Sequence, residues 1–243
     1  MPAERFYYPH SLGKEDNIVL EDQEFHHLVN VMRNRLDDII EVINGIGQIA
    51  NARLSSIEKK RALLTVETVF TEEPSKLKLI LAQAIPRLNR LETILEKCTE
   101  LGMTEIWLFP GAHSEKKEFS ENQLERLQHI LISATKQCGR LFLPKLISMP
   151  PIKKWQTFPI PAFFGDVEPE APLLEDIWKH HFEAEAYEAL MCIGPESGFN
   201  DEEIALLKKF GAEGVSLHRN ILRTDTAAIA SLALLSHWMM KAK

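Results

Sequence analysis

Apolar and polar residues change rhythm once along the chain. From Arg5 to Phe70 they alternate in short runs, at Arg5–Tyr8, Asn17–Leu20, Asp38–Ile43, Gln48–Leu54 and Ala62–Phe70. Thr65-Val66-Glu67-Thr68-Val69 shows the period of two most plainly. That period sends successive side chains to opposite faces of a strand. One helix interrupts the strands, from Asp22 as the expected N-cap to about Met32. Several short strands around one short helix predict a small barrel. Thr71-Glu72-Glu73-Pro74-Ser75 is polar, carries a proline and separates two strand patterns, so it reads as a linker.

Beyond the linker, strands alternate with helices. Leu77–Ala82, Glu105–Phe109, Ala162–Gly165, Ala189–Ile193 and Val215–Leu217 read as strands. Leu91, Ile94, Leu95, Cys98 and Leu101 share one helical face, and Gly102 ends that helix. Ser120-x-x-Gln123 and Asn200-x-x-Glu203 have the form of capping boxes, with Gly139 and Gly211 near the ends of their helices. Phe199 and Ile204 are spaced for a hydrophobic staple. A last helix begins near Thr224. This order predicts a parallel sheet covered by helices on both faces.

Charge first argues against a nucleic-acid partner, because the chain of 243 residues carries a formal net charge of −7. The charge is local, however. Residues 166–188 hold eight acids and only Lys179 as a base, so the rest of the chain sums to zero. Residues 76–155 hold thirteen basic and eight acidic residues. The acidic stretch is expected to be a solvated helix and loop turned away from any RNA, and the exclusion lapses. Cys98, Cys138 and Cys192 are too few and too scattered for a disulfide framework or a zinc ribbon, which suits free thiols in a reducing cytosol. Met1–His10 has no apolar signal run, and the uncharged stretch Thr226–Met240 is too short to span a bilayer. No metal site is expected, since the nine histidines show no ligand spacing. One ring of the His26-His27 pair is expected to pack inside the first domain.

Gly45-x-Gly47-x-x-Ala50 spells a dinucleotide fingerprint, but strand pattern follows it where a helix is required. A hairpin turn at Asn44-Gly45 is the simpler expectation. Two later segments carry more chemistry. Ile193-Gly194-Pro195-Glu196-Ser197-Gly198-Phe199 leaves a strand and enters a capped helix, at the strand end where open α/β sheets bind ligands. Leu217-His218-Arg219-Asn220-Ile221-Leu222-Arg223-Thr224-Asp225-Thr226-Ala227 places an apolar pair where loops are usually polar, which predicts a buried loop. Arg223 beside it would then need an anionic partner or ligand. Asp225 has an ordinary role as a first-turn acid at a helix N-terminus.

Together these two segments resemble the bacterial small-subunit ribosomal RNA uridine-N3 methyltransferases of the RsmE type, within the SPOUT class of S-adenosylmethionine-dependent enzymes. Glu96-Lys97-Cys98-Thr99-Glu100-Leu101-Gly102, Gln137-Cys138-Gly139-Arg140 and His27-Leu28-Val29-Asn30-Val31-Met32-Arg33 extend the resemblance over nearly the whole chain. It implies an α/β protein with an N-terminal PUA-like β-barrel, residues 1–72, that docks RNA. A SPOUT α/β methyltransferase domain with a C-terminal trefoil knot would follow over residues 76–243. It further implies S-adenosyl-L-methionine held by Phe164, Gly165, Ile193, Gly194, Pro195, Glu196, Gly198, Leu217, Ile221, Leu222 and Thr226. Arg33, Arg87, Gln137 and Arg140 would contact RNA, and Lys97 and Lys136 are expected to be ordinary surface charges. The implied partners are 16S rRNA or the 30S subunit and a second copy of the chain, in the cytoplasm, without membrane or metal.

The implied reaction methylates N3 of a specific uridine. Arg223 would stabilise charge developing on the base, and Asp225 or Glu196 would take the N3 proton or orient Arg223. N3 lies on the Watson–Crick edge, so the base must be unpaired or flipped. The chain departs from the family pattern at Ser197 and His218, where glycine is usual, at Asp225, where glutamate is usual, and at Arg87, Lys136 and His113. Two alternatives stand beside this reading: another SPOUT methylation such as ribose 2′-O, or a ribosome-binding module with weakened catalysis.

Overall fold

The computed structural model describes residues 4–183 and 187–240. The chain divides into two compact units, one within Met1–Pro74 and Ile132–Leu143, the other within Ser75–Leu131 and Pro144–Lys243.

The first unit contains β1 (Arg5–Tyr7), β2 (Asn17–Glu21), α1 (Asp22–His26), β3 (Ile39–Ile43), β4 (Gln48–Ile57) and β5 (Arg61–Thr71). The strands form a curled half-barrel in the order β1-β3-β4-β5-β2. β1 pairs parallel with β3, and the other pairs are antiparallel. The period of two works as the sequence predicts. Ala62, Leu64 and Val66 are buried on one face of β5, where they meet Ile18, Leu20, Leu28, Val42 and Leu54. His27 packs its ring 5.6 Å from that of Phe6.

Two local expectations meet different outcomes. Asp22 is not an N-cap: β2 runs straight into α1, and Asp22 makes the turn with φ 47° as the first helical residue. The helix then widens to a π-helical turn over His27–Val31, closed by the Met32 N–H on His27 O at 2.9 Å. The glycine pair does turn a hairpin between β3 and β4. Asn44 Oδ1 accepts from the N–H groups of Ile46 and Gln48, each at 3.0 Å. A Cβ on Gly47 would lie 2.8 Å from Glu72 O. Residues 132–143 complete this unit. Lys136 Nζ donates to Glu24 Oε1 at 2.6 Å, and Arg5 donates to Gly139 O at 2.6 Å. The Gly47 N–H donates to Leu141 O at 3.0 Å, and the Leu143 N–H to Gly45 O at 2.9 Å.

The second unit is built on β6 (Lys78–Ala84), β7 (Glu105–Phe109), β8 (Lys145–Ser148), β9 (Ala162–Gly165), β10 (Glu188–Ile193) and β11 (Ala212–Val215). All six strands are parallel, in the order β11-β9-β10-β6-β7-β8. Its helices are α2 (Leu88–Glu100), the first part of α3 (Glu121–Cys138), α4 (Leu174–Glu183), α5 (Asp201–Lys209) and α6 (Thr224–Met239). A parallel sheet needs both faces covered. Ile80, Ala82, Phe109, Phe164, Leu190 and Cys192 pack with Leu207 of α5 and Trp155 on one face. On the other, α6 packs against β6, β10 and α2. The α2 stripe is buried at Leu91, Ile94, Leu95 and Cys98 as its spacing predicts.

The Asn200–Glu203 capping box is complete, with the Glu203 N–H on Asn200 Oδ1 at 2.8 Å and the Asn200 N–H on Glu203 Oε2 at 3.1 Å. The strand expected at Val215–Leu217 lies earlier, at Ala212–Val215, because Gly211 (φ 95°) reverses the chain directly into the buried pair Ala212 and Val215. α6 buries Ala228, Leu232, Leu235 and Met239, yet Leu234 is 36% exposed and Met240, directly after the helix, 58%. Among the described residues, no helix is long and apolar enough to cross a membrane.

Candidate active site

Three loops leave the carboxyl ends of the adjacent strands β9, β10 and β11. Gly165–Leu173, Ile193–Phe199 and Ser216–Leu222 supply most of the wall of one cavity of about 710 Å³. This is where ligands bind in open parallel sheets. Nine residues singled out from the sequence line it: Gly165, Ile193, Gly194, Pro195, Glu196, Gly198, Leu217, Ile221 and Leu222. Phe164 does not. Its side chain is fully buried in the core, 6.5 Å from the Phe199 ring, because β9 alternates faces and only its last residue reaches the rim. Thr226 is also off the wall and exposed, while Thr224 and Ala227 of the same helix line it.

The β10 loop is tightly fixed. Gly198 supplies the left-handed turn, with φ 72°. A Cβ on Gly194 would fall 3.1 Å from Gly198 C and Phe199 N, so a side chain there would press on the loop's own backbone. Thr224 Oγ1 donates to Gly194 O at 2.6 Å. Gln83 Nε2 donates to Thr224 Oγ1 at 3.0 Å, to Gly194 O at 3.2 Å and to Ala84 O at 2.9 Å. Gln83 is fully buried, and its Oε1 has no partner among the described residues. Sequence reasoning missed Gln83, although one amide in the apolar run Leu79-Ile80-Leu81-Ala82-Gln83-Ala84 is a visible signal.

Carboxylates brace the same loop. Glu196 Oε1 accepts from the Arg87 backbone N–H at 3.0 Å, at the N-terminus of α2. It also lies 3.5 Å from Arg90 Nε. Arg90 Nη1 donates to Asp225 Oδ1 at 2.9 Å. Arg90, on α2, was not among the expected site residues. Asp166 and Glu168 face the cavity as well, so this part of the acidic stretch builds the site and is not turned away from it. Glu175 and Asp176 of the stretch are solvated on α4 and pair with Lys179, and Glu185 lies outside the described residues. Among the described residues, no Lys, Arg or His pairs with Asp166 or Glu168, which makes this wall suited to a cation.

The β11 loop overturns one expectation. Ile221 is 84% exposed and Arg223 is exposed, so the loop is not buried. Ile221 and Leu222 present apolar surface to the cavity instead of to a core. The need for an anion beside Arg223, argued from burial, falls with it. His218 requires no glycine, since its φ is not positive, and it accepts the Asn220 N–H on Nδ1 at 3.0 Å.

Of the residues expected to touch RNA, Arg33 (φ 58°) and Gln137 are exposed in the first unit. Arg140 is partly buried there, and burial lowers its pKa from the usual guanidinium range. Arg87 is exposed in the second unit and bonds Glu115 at 2.7 Å, which raises the Arg87 pKa and lowers that of Glu115. Lys136 and Lys97 are engaged within the chain, with Glu24 and with Glu96 and Glu100. His113 Nδ1 lies 3.2 Å from Gly198 O. Burial pushes the thiols of Cys98 and Cys192 well up from their usual range. Among the described residues, no group of three His, Cys, Asp or Glu could hold a metal ion.

Comparison with known proteins matches residues 73–236 to an RNA methyltransferase domain and residues 20–67 to an RNA methyltransferase PUA domain. The ribosomal RNA small subunit methyltransferase E of Synechocystis is 31% identical over 236 residues, covering 90% of this chain and 72% of its own. The enzyme of the same name from Buchnera aphidicola is 28% identical over 239 residues, covering 95% and 92%. The structure of the ribosomal RNA small subunit methyltransferase E from Neisseria gonorrhoeae, bound to S-adenosyl methionine, superposes with a TM-score of 0.85 at 29% identity, covering 97% of each chain.

Proposed function

The chain belongs to the RNA methyltransferase family, and from that premise we propose that it transfers a methyl group from S-adenosylmethionine to N3 of a specific uridine in 16S rRNA. The observation that carries this reading is the cavity at the ends of β9, β10 and β11. Its lining fits the cofactor in three respects. The loops give close backbone approach at Gly194. Ile221 and Leu222 offer apolar surface to a nucleoside. Asp166 and Glu168, which no cation pairs with among the described residues, offer negative charge toward a sulfonium. Bound there, S-adenosylmethionine would supply an electrophilic methyl on sulfur. The loops of Gly165, Ile193, Gly194, Leu217, Ile221 and Leu222 hold and orient it.

Uridine N3 carries a proton and is a weak nucleophile, so the chain must favour the anion and hold it in line. Arg223, exposed at the start of α6 next to the cavity loop, is assigned to the charge developing on O2 or O4. Asp225 is assigned as acceptor of the N3 proton. Both candidate carboxylates meet Arg90, but Glu196 also holds the Arg87 N–H, which leaves Asp225 the freer of the two. The proposal includes Arg33, Arg87, Gln137 and Arg140 as contacts to the RNA and a homodimer in the cytoplasm. The exposed Leu234 on α6 and Met240 just after it support the dimer. The trefoil knot is part of it too.

The test is methylation of 30S subunits lacking the modification, with mass spectrometry of the released nucleoside. Formation of 3-methyluridine is expected. A ribose 2′-O-methyl product would overturn the assigned position, and absence of S-adenosylmethionine binding by calorimetry would favour the inactive ribosome-binding alternative. Arg223→Ala should lower the rate by about 10²–10³-fold without loss of cofactor binding. Near-normal turnover would remove Arg223 from the mechanism.

A further inference from the structure

One guanidinium holds two carboxylates at the site, one on the cavity loop after β10 and one on α6 next to the cavity-lining Thr224. Arg90, on the first turn of α2, donates from Nη1 to Asp225 Oδ1 at 2.9 Å and sits with Nε 3.5 Å from Glu196 Oε1. Glu196 belongs to the cavity loop after β10, and Asp225 to the first turn of α6. All three side chains are mostly shielded, with 23–32% of their surfaces exposed. The geometry points to Arg90 as a positioning residue for methyl transfer, which sets Asp225 and the α6 turn against the cofactor loop. This inference rests on the reading of the cavity as a methyltransferase site.

The asymmetry of the network says which property depends on Arg90. The β10 loop has other anchors, since Gly194 O accepts from Thr224 and Gln83, and Glu196 accepts from the Arg87 N–H. The Asp225 carboxylate has Arg90 as its one partner among the described residues. Without Arg90, the loop keeps its shape while Asp225 is released beside a second carboxylate that repels it. Cofactor binding should then survive, and the chemical step should not. Arginine suits the place because its planar fork presents several donors in fixed directions, whereas a lysine ammonium is a single point charge.

The experiment compares wild type, Arg90→Met and Arg90→Lys in full-length protein. It measures S-adenosylmethionine affinity by calorimetry, the melting temperature, and the single-turnover rate on 30S subunits at saturating cofactor. Arg90→Met is expected to keep its affinity within about threefold and to lose roughly 10²-fold in rate, the cost of misplacing a reacting group by about an ångström. Arg90→Lys should recover part of that loss. Adding Asp225→Asn to Arg90→Met should cost little more, because the two act as a unit. A wild-type rate in Arg90→Met overturns the proposal. So does a parallel fall of affinity, melting temperature and rate that lysine does not relieve, which is the mark of a purely structural ion pair. Rates are read on whichever methylated nucleoside the wild type forms. A product other than 3-methyluridine therefore counts against the assigned chemistry and leaves the Arg90 comparison intact.

Discussion

The loops after β10 and β11 face one cavity and are anchored to different extents. The β10 loop is tied to distant parts of the chain: to Gln83 in β6, to Thr224 in α6 and to the α2 N-terminus through Glu196. The β11 loop is anchored only at its start, where the Ser216 N–H donates to Pro172 O at 2.7 Å and Ser216 O accepts from the Leu174 N–H at 3.2 Å. Beyond Ser216 its bonds among the described residues are local, with the Asn220 N–H on His218 Nδ1. The β10 loop carries two glycines and a proline, and the β11 loop exposes Ile221 almost fully. The proposed site, which would bind a nucleoside cofactor and then admit a polynucleotide, would be served by this division. The fixed wall is organised before binding, so little ordering cost falls on the ligand. The other wall presents apolar surface that only a ligand covers.

The comparison can be broken at three points. The largest effect is expected from Gly194→Ala, whose Cβ meets backbone atoms at 3.1 Å in a loop that cannot easily yield. Stability should fall by about 1–3 kcal/mol and cofactor affinity should fall with it, as read by denaturant melts and calorimetry. A soft β10 loop would show neither loss. Thr224→Val comes next. It removes the donor to Gly194 O, but Gln83 Nε2 still reaches that oxygen, so the loss should be about 1 kcal/mol in the same melts. Smallest for the fold is Ile221→Ala, which should leave stability within about 0.5 kcal/mol because the side chain is exposed. Its effect belongs to the ligand. If half the removed surface is covered on binding, affinity should weaken by about 1 kcal/mol in calorimetry. A marked loss of stability in this variant would mean the β11 loop is packed after all, and the contrast would vanish.

The two loops were also unequally legible. Periods of two and 3.6, with capping residues, placed most strands and helices, since burial acts residue by residue along an element, but the short half-exposed β8 showed no such period. Gly194, Pro195, Glu196 and Gly198 were visible because a strand end, two glycines and a capped helix stand within eight residues. Gln83, Arg90 and Thr224 were not, because their partners lie 111, 135 and 30 residues away, and no local pattern encodes such pairings. The buried β11 loop failed for a different reason. Apolar residues were equated with a core, whereas a binding site is the other place where exposed apolar surface belongs. Asp22 failed because its side chain suits an N-cap, while the strand leaves no room for one and the backbone turns through Asp22 itself.

The first unit is not one continuous stretch of chain, and this has a consequence for synthesis. Its sheet ends at Thr71, but its partners for Glu24, Gly45, Gly47 and Arg5 are Lys136, Leu143, Leu141 and Gly139. A nascent chain therefore carries an incomplete half-barrel until Leu143 has left the ribosome, some 70 residues after the last strand is made. At about 5–20 residues per second that is a delay of several seconds, during which β6, α2 and β7 of the other unit are already emerging. Folding of the two units is interleaved in time, and a fragment cut within the linker Thr71–Ser75 would lack the residues 132–143 that complete its own unit.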